Sequence, residues 1–132
     1  MGCEPGDSKG RDVKTFLRIL SVIYALGALL HLIQFLNIPI TGRELMYADM
    51  PPALRAMVKV LLFLDTGTAV GLWLAKRWGV TFFLMAAFGH VILYTAFSAL
   101  YGGGRGMVVI HALAITGYLV FWFRSGRPYP EG

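Results

Sequence analysis

The sequence has little charge and almost no cysteine. Charged residues make up 14% of its 132 residues, against about 25% in a typical soluble domain. The single cysteine, Cys3, excludes an internal disulfide, a CxxC redox pair and a cysteine-based zinc site. The chain also lacks a phosphate-binding glycine loop, a nucleotide-binding fingerprint and a nucleophile motif. These absences favour a non-enzymatic protein.

Apolar residues are in surplus, because 57% of the chain is hydrophobic. A soluble chain of this size would bury only about two-thirds of its surface, so the remaining apolar surface is expected to face lipid. A net charge of +5 is also found in proteins that bind nucleic acid. However, the basic residues flank the apolar runs, and no basic stripe with interleaved aromatics is present. We therefore expect contact with a lipid bilayer and not with nucleic acid.

Four apolar runs are each long enough to cross a bilayer, which takes about 20 residues of helix. We predict an all-α fold, an integral membrane four-helix bundle, with short tails on either side of it. The tail at 1–13 is rich in glycine and is predicted to be disordered. Residues 43–50 are predicted to form either a short interfacial helix or a solvated loop. The bundle covers residues 14–124 with spans at about 16–36, 53–75, 78–100 and 107–123, and the second tail covers 125–132.

The distribution of basic residues predicts the orientation of the bundle. Eight basic residues flank the spans on the side of the N-terminus and four on the other side. Because cytoplasmic segments carry the excess of Lys and Arg, both termini are predicted to be cytoplasmic. Trp73, Trp78 and Trp122 fall at the same side, where aromatic rings settle among headgroups. The eight residues are Lys9, Arg11, Lys14, Arg18, Lys76, Arg77, Arg124 and Arg127, and the four are Arg43, Arg55, Lys59 and Arg105.

Small residues at four-residue spacing predict where the helices pack. Membrane helices associate through close backbone approach, which small side chains permit. Gly67 and Gly71 on the second span form such a pair. Such a pair is typical either of helix packing inside one bundle or of a dimer interface between two copies of the chain.

Apart from the basic residues near the span ends, each span carries one histidine or aspartate that is costly in hydrocarbon. An Asp at the centre of a membrane helix costs about 2.5–3.5 kcal/mol on insertion scales. The four side chains are therefore expected to turn inward and to gather near one depth in the bundle. Polar neighbours share their helix faces, as Gln34 does at i+3 from the first of them. The four residues are His31, Asp65, His90 and His111.

These four residues are the candidate cofactor-binding set, and the sequence leaves the kind of site open. Three imidazoles and a carboxylate suit a tetrahedral metal site, although the chain has no HxxxH or ExxH pair. Two histidines, best His31 and His111, suit the axial positions of haem b. Asp65 paired with a histidine suits a proton relay, a quinone site or an ion path. Without a ligand, the same side chains would tie the helices together by hydrogen bonds.

The layout resembles the DoxX-like small four-helix membrane proteins. The resemblance covers residues from about 14 to 124: a first helix, a longer outer loop with prolines, and two helices joined by the basic turn Lys76-Arg77. It implies an accessory membrane subunit associated with redox chemistry at the quinone pool. The short loops and the lack of an independent catalytic domain favour the same class, so we predict a non-enzymatic accessory or anchor subunit of a larger complex in the bacterial cytoplasmic (inner) membrane. The alternative is a redox-active subunit that binds haem b, quinone or a metal.

Overall fold

The fold was obtained as a computed structural model, which describes residues 5–40, 46–99 and 104–125. Within these residues the chain is helical and contains no strand, which confirms the predicted all-α four-helix fold. All four helices are long and apolar enough to cross a membrane. They are α1 (Pro5–Phe35), α2 (Pro52–Trp73), α3 (Arg77–Ala96) and α4 (Arg105–Ser125).

Helix α1 begins earlier than the sequence predicts. Residues 5–13 are helical, whereas a disordered tail was expected over 1–13. Proline suits the first turn of a helix because its ring fixes φ and its missing N–H has no partner there. A helix that the apolar segment has already nucleated also extends at little cost per residue, which outweighs the glycines of the tail. Residues 1–4 and 126–132 lie outside the described residues.

Two helices end on a residue with positive φ. Asn37 has φ 55° after α1, and the Ile38 N–H donates to the Ile33 carbonyl over 3.1 Å. Ala75 has φ 52° after α2, and the Lys76 N–H donates to the Gly71 carbonyl over 2.9 Å. These bonds satisfy carbonyls that the helix end would leave unpaired. Helix α2 therefore stops at Trp73, two residues before the predicted end of the second span.

Helices α2 and α3 approach each other most closely at two glycines. A Cβ on Gly71 would collide with the Gly79 backbone, and a Cβ on Gly79 would collide with the Gly71 backbone. One turn earlier on α2, Gly67 makes room for the ring of Phe82. Gly67 and Gly71 thus serve packing inside one chain, as small residues at membrane helix interfaces do.

The segment before α2 is held by one arginine. The predicted short helix appears as a single 3₁₀ turn at Tyr47–Asp49, while residues 41–45 lie outside the described part. The Arg55 guanidinium donates to the carbonyl of Ala48 over 2.6 Å and to that of Met50 over 2.8 Å. It also lies over the Tyr47 ring, 5.9 Å from the centroid. Arg55 therefore anchors this loop on the end of α2.

Two apolar clusters fill the bundle. The Phe83 cluster combines side chains from all four helices, and the Met50 cluster joins α2, α3 and the preceding loop. Along α2, Asp65 follows directly on Leu64 of the first cluster, and Leu61 of the second cluster lies one turn before it. A polar group is thus enclosed between two apolar regions. The Phe83 cluster includes Leu17, Leu20, Tyr24, Leu64, Leu72, Val80 and Tyr118, and the Met50 cluster includes Leu54, Val58, Leu61 and Leu93.

Helix α4 is the least enclosed of the four. Only 11% of its apolar segment is buried, against 39% for α2 and for α3. It packs mainly on α3 and only slightly on α1. Its outer face is apolar, with Leu113 and Phe123 among its most exposed side chains. In a bilayer this face meets lipid or another membrane helix.

Candidate functional site

The structure brings the four predicted site residues together in the buried interior. The exposed fractions are 8% for His31, 0% for Asp65, 3% for His90 and 4% for His111. Each residue comes from a different helix. The expectation that these four side chains turn into the interior of the bundle is confirmed.

Three of the four residues face one point. Nε2 of His31 and Nε2 of His90 lie 3.2 Å apart. Each of these nitrogens lies 3.6 Å from Oδ2 of Asp65. The three donor atoms thus form a nearly equilateral triangle contributed by α1, α2 and α3.

Asp65 lacks the partners that a buried carboxylate normally has. Among the described residues, neither of its oxygens accepts a hydrogen bond. The two imidazole nitrogens are beyond hydrogen-bond distance from Oδ2 at 3.6 Å. Thr68, on the next turn of α2, is also fully buried, and its hydroxyl has no partner in the described part of the chain. Burying such a group is unfavourable unless a cation or a proton compensates it.

Gly27 allows the carboxylate to lie against α1. A Cβ at Gly27 would lie 3.0 Å from Oδ2 of Asp65, closer than ordinary van der Waals contact. Gly27 is one turn before His31 on the same helix face. The sequence analysis did not single out this glycine, since nothing in α1 alone reveals a partner on α2.

The ring of His90 is oriented by its own helix. Its Nδ1 lies 2.9 Å from the Ala86 carbonyl oxygen. A carbonyl only accepts, so Nδ1 carries the proton and Nε2 presents a lone pair toward His31 and Asp65. His31 then donates from its Nε2 to Nε2 of His90. The side chain of Gln34, predicted to share a face with His31, hydrogen-bonds to that imidazole.

His111 belongs to the cluster but faces a different partner. Its ring stacks on His90 with centroids 4.3 Å apart and an interplanar angle of 21°. Its Nδ1 lies 3.1 Å from the Tyr24 hydroxyl, and its Nε2 has no hydrogen-bond partner among the described residues. The group of donor atoms close enough to share an ion contains His31, Asp65 and His90 but not His111.

Tyr24 is a member of the site that the sequence analysis missed. It is 2% exposed, and its ring meets Phe83 edge-on at 5.6 Å. Tyr24 precedes His31 by two helical turns, and this spacing could have identified it as a residue of the same face. Tyr94, one turn after His90 on α3, stacks on that ring with the centroids 6.2 Å apart.

The geometry does not fit a haem held between these imidazoles. Two axial nitrogens on one iron lie about 4 Å apart with a macrocycle between the rings. The facing nitrogens of His31 and His90 are 3.2 Å apart, and the rings of His90 and His111 are in direct contact at 4.3 Å. His90 touches both His31 and His111, the pair favoured by the sequence, so a porphyrin between them would have to displace it.

Comparison with known proteins identifies a family but no function. The family described as "Family of unknown function (DUF6163)" matches residues 12–128, which cover α2, α3, α4 and all of α1 except its first residues. No curated protein and no solved structure shows significant similarity to the chain.

Proposed function

Because the chain belongs to the DUF6163 family, whose function is unknown, we propose a function from the site itself. The protein is a non-enzymatic multi-pass membrane subunit that binds a small cofactor or ion inside its helix bundle. The binding residues are His31, Asp65 and His90, with His111 stacked beside them. The observation that carries this proposal is the buried Asp65 carboxylate without a hydrogen-bond partner among the described residues.

A purely structural role fits Asp65 poorly. Polar groups tie membrane helices together through hydrogen bonds, each worth about 0.6 kcal/mol on average. Asp65 forms no such bond in the described part of the chain, while its burial is complete. The free-energy cost of burying this carboxylate is therefore not offset by hydrogen bonds between helices. Intramembrane ionisable groups with such a cost usually mark a binding site or a pathway.

The stability of an Asp65 variant tests the proposal. In ligand-free protein purified in a mild detergent, Asp65→Leu should unfold at the same temperature as the unmodified chain or above it. The reason is that replacing an unpaired buried polar group by an apolar one of similar size removes its desolvation cost. Phe83→Ala serves as the reference for a loss of packing. It leaves a cavity in the core, which lowers the free energy of unfolding by about 3–5 kcal/mol.

The opposite result would contradict the proposal. If Asp65→Leu lowers the unfolding temperature as much as Phe83→Ala does, the carboxylate stabilises the bundle and its role is structural. Extraction of the unmodified protein followed by mass spectrometry should also yield a metal or an organic cofactor that Asp65→Leu no longer carries.

The exposed face of α4 favours a second candidate function, that of an accessory subunit. Ala112 and Thr116 lie one turn apart on this face, and both are exposed. Small residues at this spacing let another helix approach closely. Leu113 and Val120 extend the same apolar face. A larger complex in the bacterial cytoplasmic membrane, associated with quinone chemistry as the DoxX-like layout implies, would supply such a helix.

Purification from the native membrane in mild detergent tests this candidate. Thr116→Leu should release the partner subunits, because a bulky side chain blocks close approach. Thr66→Leu is the matched control, since Thr66 is an exposed threonine on α2 whose hydroxyl bonds only the Leu62 carbonyl of its own helix in the described structure. Retention of the same partners by both variants would exclude the α4 face as the contact.

A further inference from the structure

We propose that the centre holds one divalent transition-metal ion, with Zn²⁺ as the best fit. Its protein ligands are Nε2 of His31, Nε2 of His90 and Oδ2 of Asp65. The inference rests on the proposed function, that the centre binds a ligand, and it specifies the chemistry of that ligand.

The spacing of the donor atoms fits tetrahedral coordination. Zn²⁺ binds imidazole nitrogen and carboxylate oxygen at about 2.0–2.2 Å, so two ligands on a tetrahedron lie about 3.3–3.6 Å apart. The sides of the triangle are 3.2 Å between the histidines and 3.6 Å from each histidine to Asp65. A point about 2.1 Å from all three atoms, within the range of zinc bond lengths, lies about 0.6 Å off the plane of this triangle, as the centre of a tetrahedron does. An octahedral ion with ligands at about 2.1 Å would bring neighbouring donors to about 3.0 Å.

The two histidines have hydrogen-bond partners of the kind that metal-ligating histidines usually have. The bond from Nδ1 of His90 to the Ala86 carbonyl keeps the proton off Nε2, whose lone pair is available to coordinate. Metal binding would replace the hydrogen bond between the two Nε2 atoms and release the proton that Nε2 of His31 carries in it. A histidine that ligates a metal almost always donates its other ring N–H to an oxygen in this way. The His31 imidazole donates a hydrogen bond to the side chain of Gln34. Two of the three ligands thus have the outer partners that orient imidazoles at metal sites.

A bound ion would also give the Asp65 carboxylate the charged partner that it lacks. Asp65 has no cationic side chain in contact beyond the two imidazoles within the described residues, and a bound divalent ion provides the missing positive charge. Two imidazoles with one carboxylate suit zinc and its neighbours better than Ca²⁺ or Mg²⁺, which prefer oxygen ligands only. Soft sulfur ligands for Cu(I) do not occur in the set.

A hydrogen-bonded proton relay fits the same residues less well. A proton path from Asp65 to Tyr24 would run through His90 and His111. It would require a hydrogen bond between the imidazoles of His90 and His111. His90 and His111 instead meet face to face as stacked rings at 4.3 Å. The relay is interrupted there, whereas the metal site needs only the three atoms that already converge.

Gly27 is a positioning residue for this site. A Cβ at Gly27 would lie 3.0 Å from Oδ2 of Asp65 and would press the ligand oxygen out of place. Disturbing the surroundings of a metal ligand typically weakens metal binding about 10- to 100-fold. Gly27→Ala is therefore expected to weaken binding by that factor and to leave the helices assembled.

The experiment is a Co²⁺ titration of the full chain, purified in detergent and freed of metal by a chelator. Co²⁺ replaces Zn²⁺ in tetrahedral sites and makes them visible through intense absorption bands. The unmodified protein should bind one Co²⁺ per chain and release it when Zn²⁺ is added. His31→Ala, Asp65→Asn and His90→Ala should lose the bands. His111→Phe should retain them, because His111 is buried in the same cluster but supplies no ligand.

Each contrary result has a separate meaning. Failure of the unmodified chain to bind Co²⁺ or Zn²⁺ overturns the metal assignment. If Asp65→Leu is then still as stable as the unmodified chain, the proposed function survives, with an organic cofactor or a different ion as the ligand. Weak bands typical of octahedral Co²⁺ overturn the tetrahedral zinc assignment and favour Fe²⁺, for which two histidines and one carboxylate with open positions are a known ligand set. Loss of binding in His111→Phe, with an unchanged unfolding temperature, overturns the assigned set of three ligands.

Discussion

The Nε2 atoms of His31 and His90 lie 3.2 Å apart, although 59 positions separate the two residues in the chain. Each points toward the same oxygen of Asp65 on the helix between them in sequence. One ion at this point would contact α1, α2 and α3 simultaneously. Binding at the centre is therefore coupled to the assembly of these three helices.

Zinc should stabilise the bundle in a residue-specific way. A ligand that binds only the folded state at 100 times its Kd adds about 2.7 kcal/mol to the free energy of unfolding. Thermal unfolding in detergent should show this rise for the unmodified chain and for His111→Phe, but not for Asp65→Asn. An equal rise in Asp65→Asn would mean that zinc binds elsewhere on the chain.

The contact between α2 and α3 should tolerate no side chain at Gly79. Gly79→Ala places a Cβ into the Gly71 backbone, and the helices must separate to relieve the overlap. Such overpacking costs about 1–3 kcal/mol. Gly106→Ala in the first turn of α4 is the matched control, since a Cβ there meets no atom within 4 Å and alanine favours a helix over glycine by up to about 1 kcal/mol. Chemical unfolding in detergent should therefore shift in opposite directions for the two variants.

The sequence predicts the helices well because lipid imposes a simple length and polarity requirement. A span needs about 20 apolar residues, and the four runs meet this requirement regardless of how they pack. The inward direction of His31, Asp65, His90 and His111 follows from the same physics, since isolated charges are costly in hydrocarbon. The length of the spans and the inward direction of the ionisable side chains both follow from the properties of the lipid, which act on each helix separately.

The sequence could not predict which of the four residues converge on one point and which one lies beside them. This depends on how each helix is rotated about its axis and how closely the helices approach. Nothing in α4 alone shows that His111 stacks on His90 while the other three residues converge. Gly27 and Gly79 matter only because a carboxylate and a backbone lie opposite them. The helical start at Pro5 was missed for a related reason, since glycine content reports local preference and not extension from a stable span.

Tyr24→Phe should destabilise the protein slightly and leave metal binding intact. The change removes the hydroxyl that lies 3.1 Å from Nδ1 of His111 and leaves that buried imidazole without its hydrogen bond. Interhelical hydrogen bonds in membranes contribute about 0.6 kcal/mol on average and about 1.7 kcal/mol at most. Unfolding measurements should give a loss in this range, with an unchanged Co²⁺ titration. Loss of the Co²⁺ bands would instead place Tyr24 among the groups that hold the ion.

The single cysteine offers a direct test of the predicted orientation. Eight basic residues against four predict a cytoplasmic N-terminus, so Cys3 should lie on the cytoplasmic side. A membrane-impermeant maleimide should label Cys3 in inside-out vesicles, and in right-side-out vesicles only after detergent opens them. Cys3→Ser is the control for unspecific labelling. Because the spans are even in number, a cysteine introduced near the C-terminus in the Cys3→Ser background should label from the same side. Labelling of intact right-side-out vesicles at Cys3 would reverse the orientation and place the Lys76-Arg77 turn outside.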